Sequence, residues 1–229
     1  MSVAVIADAH LGGPGGSAEA LVEQLRQLAD GDCRHLVLLG DLFHVWIGAR
    51  RYETPEIRSL MAALRSLRDV GIRIDYIEGN RDFFIAHSPY AEIFDEVGEE
   101  VHFVVGGRRY LAVHGDGLND RDYLYRFWNR LSKSSLSRFF MLHLPRALAR
   151  GLVGVTERQL AKTNFKHKSA IPERVIREYA LRRLQEGFDV LLLGHFHEGR
   201  RWIVDGGEVL LLEAWFRIRQ VEMFGVDGE

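Results

Sequence analysis

Five short runs of mostly apolar residues, Val3 to Ala7, His35 to Leu39, Ile72 to Ile77, Tyr110 to Val113 and Asp189 to Leu193, each stop abruptly at a polar residue or a glycine. Runs of this length without polar alternation predict strands covered on both faces. Between the first three lie two segments with helical spacing. Leu21, Leu25 and Leu28 follow a Ser17 cap and run to about Asp30. Ile57, Leu60, Met61, Leu64 and Leu67 follow Thr54 and Pro55 and end at Gly71. Strand, helix, strand, helix, strand predicts a parallel sheet packed by helices. After a short helical stretch at Pro89 to Asp95, Val101 to Val105 and Tyr110 to Val113 flank Gly106-Gly107 and predict a hairpin. Residues 117 to 187 read as helices, and Asp189 to Leu193 resumes the strand pattern. Two closing strands, Arg200 to Val204 and Glu208 to Leu212, are joined by Asp205-Gly206-Gly207.

The candidate chemistry sits where the runs break: Asp8-x-His10, Gly40-Asp41, Gly79-Asn80, His114 and His195-x-His197. A single Gly-Asp is usually a turn, and a single histidine is usually a surface group. Strand ends on one edge of a sheet converge, however, and ligands of open α/β sheets lie at that edge. A cluster of Asp, Asn and His there is a polar hole unless cations fill it. Seven ligands exceed what one catalytic ion with an open position needs, so two divalent ions are expected, ~3.5 to 4 Å apart with a bridging carboxylate. Carboxylate, amide and imidazole without thiolate suit Mn, Fe or Zn better than Ca; Mn2+ is the first expectation, and Mg2+ also fits.

Composition narrows the surroundings. The 229 residues are 47% hydrophobic with a formal charge of -2, ordinary values for a globular chain. Cys33 stands alone, so no intramolecular disulfide forms, and it reads as a buried bystander. Between Gly117 and Arg183, fifteen Lys and Arg face only five Asp and Glu. A cationic module on an anionic body predicts an anionic partner: nucleic acid, a phosphorylated ligand or an acidic membrane surface. No aromatic-basic nucleic-acid motif is evident, so nucleic acid is not expected. The opening MSVAVIADAH lacks a basic n-region, and no apolar run approaches the ~18 residues of a membrane span. Cytoplasmic residence, with any membrane contact peripheral, is the expectation.

The ordered motifs DxH, GD, GN, H and GHxH resemble the signature of calcineurin-like metallophosphoesterases. GDLFHVWIG, GNRDF and HGD are similar to one branch, the bacterial UDP-2,3-diacylglucosamine hydrolases of lipid A synthesis, and the resemblance runs from residue 3 to about 215. It implies a four-layer α/β/β/α sandwich, with a core of residues 1–116 and 188–229 and a helical cap inserted at 117–187. It also implies that Asp8, His10, Asp41 and His197 hold one metal, while Asp41, Asn80, His114 and His195 hold the other and Asp41 bridges. Asp41, Asn80, Arg81 and His114 would be catalytic, with a metal-activated water attacking phosphorus in line. Arg81 stands where many relatives carry a histidine proton donor; a guanidinium cannot act as an acid near neutral pH but can clamp a diphosphate.

Substrate contacts implied by the resemblance are Asn80, Arg81, Asp122, Tyr125, Asn164 and His195. Leu160 and His167 replace a serine and a lysine of the family pattern, and GHFHEGR replaces GHTHRP. The implied reaction cleaves UDP-2,3-diacylglucosamine, a nucleotide-activated glycolipid, to UMP and 2,3-diacylglucosamine 1-phosphate at the anionic inner-membrane surface. The alternatives are a phosphatase or phosphodiesterase for a soluble nucleotide or phosphosugar, and a scaffold that has lost catalysis. Four neighbouring residues carry plainer expectations: Asp82 caps the next helix, Trp46 and Phe43 are core, and Asp116 orients His114 by a hydrogen bond. In the insertion, Leu136, Phe139, Phe140, Leu144, Ala147 and Leu148 share a face flanked by Arg138, Arg146 and Arg150, with Pro145 restarting the helix. That face either packs on the body or meets acyl chains. Tyr123, Tyr125, Phe127 and Trp128 add aromatic surface beside it.

Overall fold

The computed structural model describes residues 2–119, 121–144 and 171–225. In chain order the elements are β1 (Ser2–Ile6), α1 (Ala18–Ala29), β2 (Cys33–Leu39), β3 (Trp46–Ile47), α2 (Pro55–Asp69), β4 (Arg73–Ile77), β5 (Asp82–Phe83), β6 (Glu96–Gly98), β7 (Glu100–Val105), β8 (Arg108–Val113), α3 (Tyr123–Ser132), α4 (Ser135–His143), α5 (Glu173–Gln185), β9 (Val190–Leu193), β10 (Arg200–Val204), β11 (Gly207–Leu211), α6 (Trp215–Ile218) and β12 (Glu222–Phe224). One sheet has the order β12-β1-β2-β4-β6, parallel except for β12. The other has the order β10-β11-β9-β8-β7, with a parallel centre and antiparallel edges.

Because side chains alternate along a strand, each apolar run serves two cores. Val3, Val5, Val37, Leu39 and Ile77 point between the sheets, against Val101, Phe103, Tyr110, Val190 and Leu192. Ala4, Ile6, Leu36 and Leu38 point outward onto Leu21 and Leu25 of α1 and Leu60 and Leu64 of α2. On the opposite side, Leu111, Val113, Leu191 and Leu193 cover Ile176, Ala180 and Leu184 of α5. The result is the expected four-layer α/β/β/α sandwich, with α5, inside the 117–187 segment, forming its fourth layer. Both predicted helix starts are capped: Ser17 Oγ accepts from Ala20 N and Thr54 Oγ1 from Ile57 N, each at 3.3 Å.

Three features differ from the sequence reading. The Pro89 to Asp95 stretch is not a regular helix; 3-10 turns at Ile85–His87 and Ala91–Ile93 lead into β6. The two-residue β3 and β5 pair beside the main sheet, too short for any periodicity to mark them. After β11 the chain continues through α6 and returns as β12 on the edge of β1. Cys33 is buried in β2, and Trp46 and Phe43 are core, as expected.

At the amino ends of β2 and β4, Asp75 is fully buried and accepts from Arg73 Nε at 2.9 and 3.0 Å, with His35 Nε2 at 2.7 Å. Burial pushes its pKa up, but the hydrogen bonds from His35 and Arg73 outweigh this and hold it below the usual carboxylate value. A depressed acid stabilises the fold above its unfolded pKa and loses that contribution as pH falls through the folded value. Asp75→Asn is therefore expected to cost about 1.5–3 kcal/mol at pH 7. In urea titrations, the gap to the parent should close as pH falls below about 4.

Candidate metal centre

The loops leaving β1, β2 and β4 of one sheet and β8 and β9 of the other meet at the carboxyl ends of these strands. Asp8, His10, Asp41, His195 and His197 all have positive φ, from 44° to 68°. Non-glycine residues in this region cost on the order of 1–3 kcal/mol each and persist where the surroundings hold them for function. Gly40, φ +79°, and Gly79 permit the close approach: a Cβ on Gly40 would collide with His114 Nδ1, and one on Gly79 with Asp41 Oδ1.

Two sets of ligand atoms result. His10 Nε2 lies 3.0 Å from His197 Nε2, and Asp8 Oδ1 lies 3.2 Å from His197 Nε2 and 3.8 Å from His10 Nε2. Asp41 Oδ2 is 3.9 Å from His10 Nε2. On the other side, His114 Nε2 is 3.7 Å from Asp41 Oδ1 and 3.3 Å from Asn80 Oδ1. Asp8, His10 and His197 form one group with ligand atoms within 4.8 Å of one another, and Asp8, Asp41 and His114 form a second. Asp8 thus touches both groups, and Asp41 reaches both histidine sides. His195 donates its backbone N–H to Asp8 Oδ2 at 2.7 Å, and its ring packs edge-on to His114 at 5.2 Å between centroids.

These buried charges perturb one another. Burial and the Asp8 charge push Asp41 up to about 6. Burial and Asp41 push Asp82 up to about 7. Burial alone would raise Asp8, but the imidazoles of His197, His114 and His10 hold it far below the usual range. Burial lowers His114, yet Asp41, Asp8 and Asp116 raise it to about 9, while burial and His114 press His195 down to about 4. Asp8 Oδ1 is buried and receives no aligned hydrogen bond among the described residues. Carboxylates and imidazole nitrogens that face one another at 3 to 4 Å fit divalent cations, which would accept both kinds of lone pair. His114 Nδ1–H donates to Leu39 O at 3.0 Å, leaving Nε2 aimed into the site.

Several expectations require correction. Asp82 caps no helix, because strand β5 and a left-handed Phe84 follow it rather than a helix. Instead its buried Oδ2 accepts from Asp41 N at 2.8 Å and Gly79 N at 2.9 Å, stitching two ligand loops together. Asp116 does not orient His114, a task that falls to the Leu39 carbonyl; it accepts the Tyr125 hydroxyl. Arg81 is turned inward, donating from Nη1 to His44 O at 2.9 Å with Nε 3.5 Å from Asp41 Oδ2. Its backbone N–H donates to Asp41 Oδ1 at 2.9 Å. Asp122 is the N-cap of α3, accepting from Tyr125 N at 2.9 Å. Asn164, Leu160, His167, Pro145, Arg146, Ala147, Leu148 and Arg150 lie outside the described residues.

Two contributors left no mark in the sequence. Phe216 of α6 packs its ring 5.4 Å from that of His10 and 5.1 Å from that of His197. Lys133, in the α3–α4 turn, donates to Gly79 O at 2.9 Å. The end of α4 is tied to the body by Arg51, which donates to the Leu142 and Leu144 carbonyls, and by Tyr52 Oη to Met141 O at 2.7 Å. Leu136, Phe139 and Phe140 of α4 and Tyr123, Phe127 and Trp128 of α3 are each more than half exposed. Among the described residues no helix is long and apolar enough to cross a membrane.

Comparison with known proteins agrees with this geometry. The family model of calcineurin-like phosphoesterases matches residues 1–199. A UDP-2,3-diacylglucosamine hydrolase of Pseudomonas putida is 33% identical over 206 residues, covering 83% of this chain and 82% of that protein. A protein of the same name from Azotobacter vinelandii is 30% identical over 240 residues, covering 100% and 95%. With the family match spanning most of the chain and the Asp and His clusters in place at the strand ends, this protein is a metal-dependent hydrolase that belongs to the calcineurin-like phosphoesterase family.

Proposed function

We propose that the protein hydrolyses the diphosphate of UDP-2,3-diacylglucosamine to UMP and 2,3-diacylglucosamine 1-phosphate. The observation that carries this reading is the exposed apolar face of α3 and α4, tied to a buried Asp and His centre through Lys133 and the Tyr125–Asp116 hydrogen bond. A soluble phosphoester gives such a face nothing to cover, whereas acyl chains do. The relatives named for this substrate support the same choice.

Two divalent ions, Mn2+ first, would be held by Asp8, His10, Asp41 and His197 on one side and by Asp41, Asn80, His114 and His195 on the other, with Asp8 also within reach of the second. Bound there, they supply Lewis acidity and activate water for in-line attack on phosphorus. The chain's own groups do the rest. Asp41 and Asp8 hold the charge of the centre, and His114 Nε2 and Asn80 Oδ1 converge where the second cation would sit. Arg81, released from His44 O, would clamp the diphosphate, and Asp122, Tyr125, Asn164 and His195 would contact uridine and glucosamine. The part of residues 117–187 that precedes α5 would act as the cap, and the excess of basic residues in the segment would hold the enzyme peripherally on an anionic inner membrane surface.

A second reading, a phosphodiesterase for a soluble nucleotide or phosphosugar, is favoured by the inward Arg81 and by Leu160 and His167 in place of the family's serine and lysine. The test compares UMP release from UDP-2,3-diacylglucosamine and from UDP-N-acetylglucosamine with Mn2+ present. The glycolipid should win by at least about a hundredfold in kcat/KM, since burying four methylenes alone is worth about 3 kcal/mol. Equal values would decide for the soluble substrate.

A further inference from the structure

The Gly79 peptide groups are gripped from two sides. From the body, Asp82 Oδ2 takes the Gly79 N–H at 2.9 Å. From the α3–α4 turn, Lys133 Nζ takes the Gly79 carbonyl at 2.9 Å, with Glu78 Oε2 at 3.7 Å as its counter-ion. The lysine side chain is 19% exposed, so its ammonium is largely out of water, where a charge-assisted hydrogen bond is strongest. A peptide unit is planar, so fixing the Gly79 oxygen also fixes the nitrogen and Cα of Asn80. Asn80 Oδ1 in turn lies 3.3 Å from His114 Nε2, inside the second ligand group.

We propose that Lys133 is a positioning residue through which the α3–α4 segment sets Asn80 for a divalent cation. The inference rests on the reading of Asn80 as a ligand, but on no particular substrate. It means that displacing α3 and α4, as entry of a large substrate would, also loosens one ion site and leaves the Asp8–His10–His197 side untouched. Electrostatics alone argues the opposite sign: an ammonium near a cation site repels the cation, so deleting it should tighten binding.

The sign makes the test decisive. Mn2+ is titrated by calorimetry into the metal-free full chain of the parent, Lys133→Met and Lys133→Arg, with thermal melting as the control for folding. Lys133→Met is expected to weaken one binding event about tenfold or more, the loss typical of removing a group that orients a ligand, and to leave the other unchanged. Lys133→Arg, which keeps a cationic donor, should recover most of the loss. If Lys133→Met melts early, Lys133→Leu, which likewise carries no donor, is titrated in its place and judged by the same criterion. Unchanged or tighter Mn2+ binding, or equal weakening of every event, would overturn the proposal. The parent titration separately tests the number of ions, and the titrations involve no glycolipid, so a failure of the substrate reading leaves this comparison intact.

Discussion

Asp41→Ala is expected to abolish hydrolysis, with kcat/KM falling by at least about a thousandfold, or about 4 kcal/mol of transition-state stabilisation. The carboxylate lies between the two histidine sides, 3.9 Å from His10 Nε2 and 3.7 Å from His114 Nε2. It also accepts the Arg81 N–H at 2.9 Å. Removing it takes away charge that both ions would share and unties the loop that presents Asn80 and Arg81. The measurement is steady-state hydrolysis alongside metal content by elemental analysis. Activity within tenfold of the parent, with metal retained, would contradict the role of Asp41 and with it the scheme for the centre.

The second large effect is expected at Asp82, a residue that touches no ligand atom of a metal directly. Asp82→Ala leaves the N–H groups of Asp41 and Gly79 without their acceptor, at roughly 1–3 kcal/mol for each buried donor. Urea denaturation of the metal-free protein should report the sum of the two, and activity should fall with it. Asp82→Asn separates shape from charge, since it keeps an acceptor oxygen and removes the carboxylate. In the parent, burial and Asp41 raise Asp82 to about 7. A raised acid holds its proton more tightly folded than unfolded, so the parent loses stability as pH rises from about 4 to 7. The asparagine variant lacks this loss. Its stability relative to the metal-free parent is therefore expected to rise across that window and level off above it.

The two variants also mark what could and could not be read from the chain. Asp41 was visible because it stands where an apolar run breaks, and such a break recurs at Asp8, Asn80, His114 and His195. Continuous runs such as Leu36 to Leu39 report burial on both faces, which alone points to a layered α/β fold. Asp82 looked like a cap because an aspartate just before an apolar stretch, here Phe83 to Ala86, commonly opens a helix. Its real partners, Asp41 N and Gly79 N, are backbone groups, which carry no side-chain pattern. Lys133 and Phe216 were invisible for a related reason. A lysine at a helix end and an aromatic after a strand are ordinary, and only the fold sets them against Gly79, 54 positions earlier, and against His10 and His197.

The sequence by itself therefore determined the order of strands and helices, the sheet edge where chemistry collects and the donor set that gathers there, because these depend on local periodicity and on where each run stops. Tertiary structure alone decided that Asp8 reaches both ligand groups, that Arg81 folds inward onto His44 O, and that α5 is a layer of the body. It also decided that the α3–α4 turn reaches the Gly79 carbonyl. The physical reason is the same in each case: these contacts join residues distant in sequence, often through backbone atoms, and no local periodicity records them; at Asp8 a positive-φ turn adds to this.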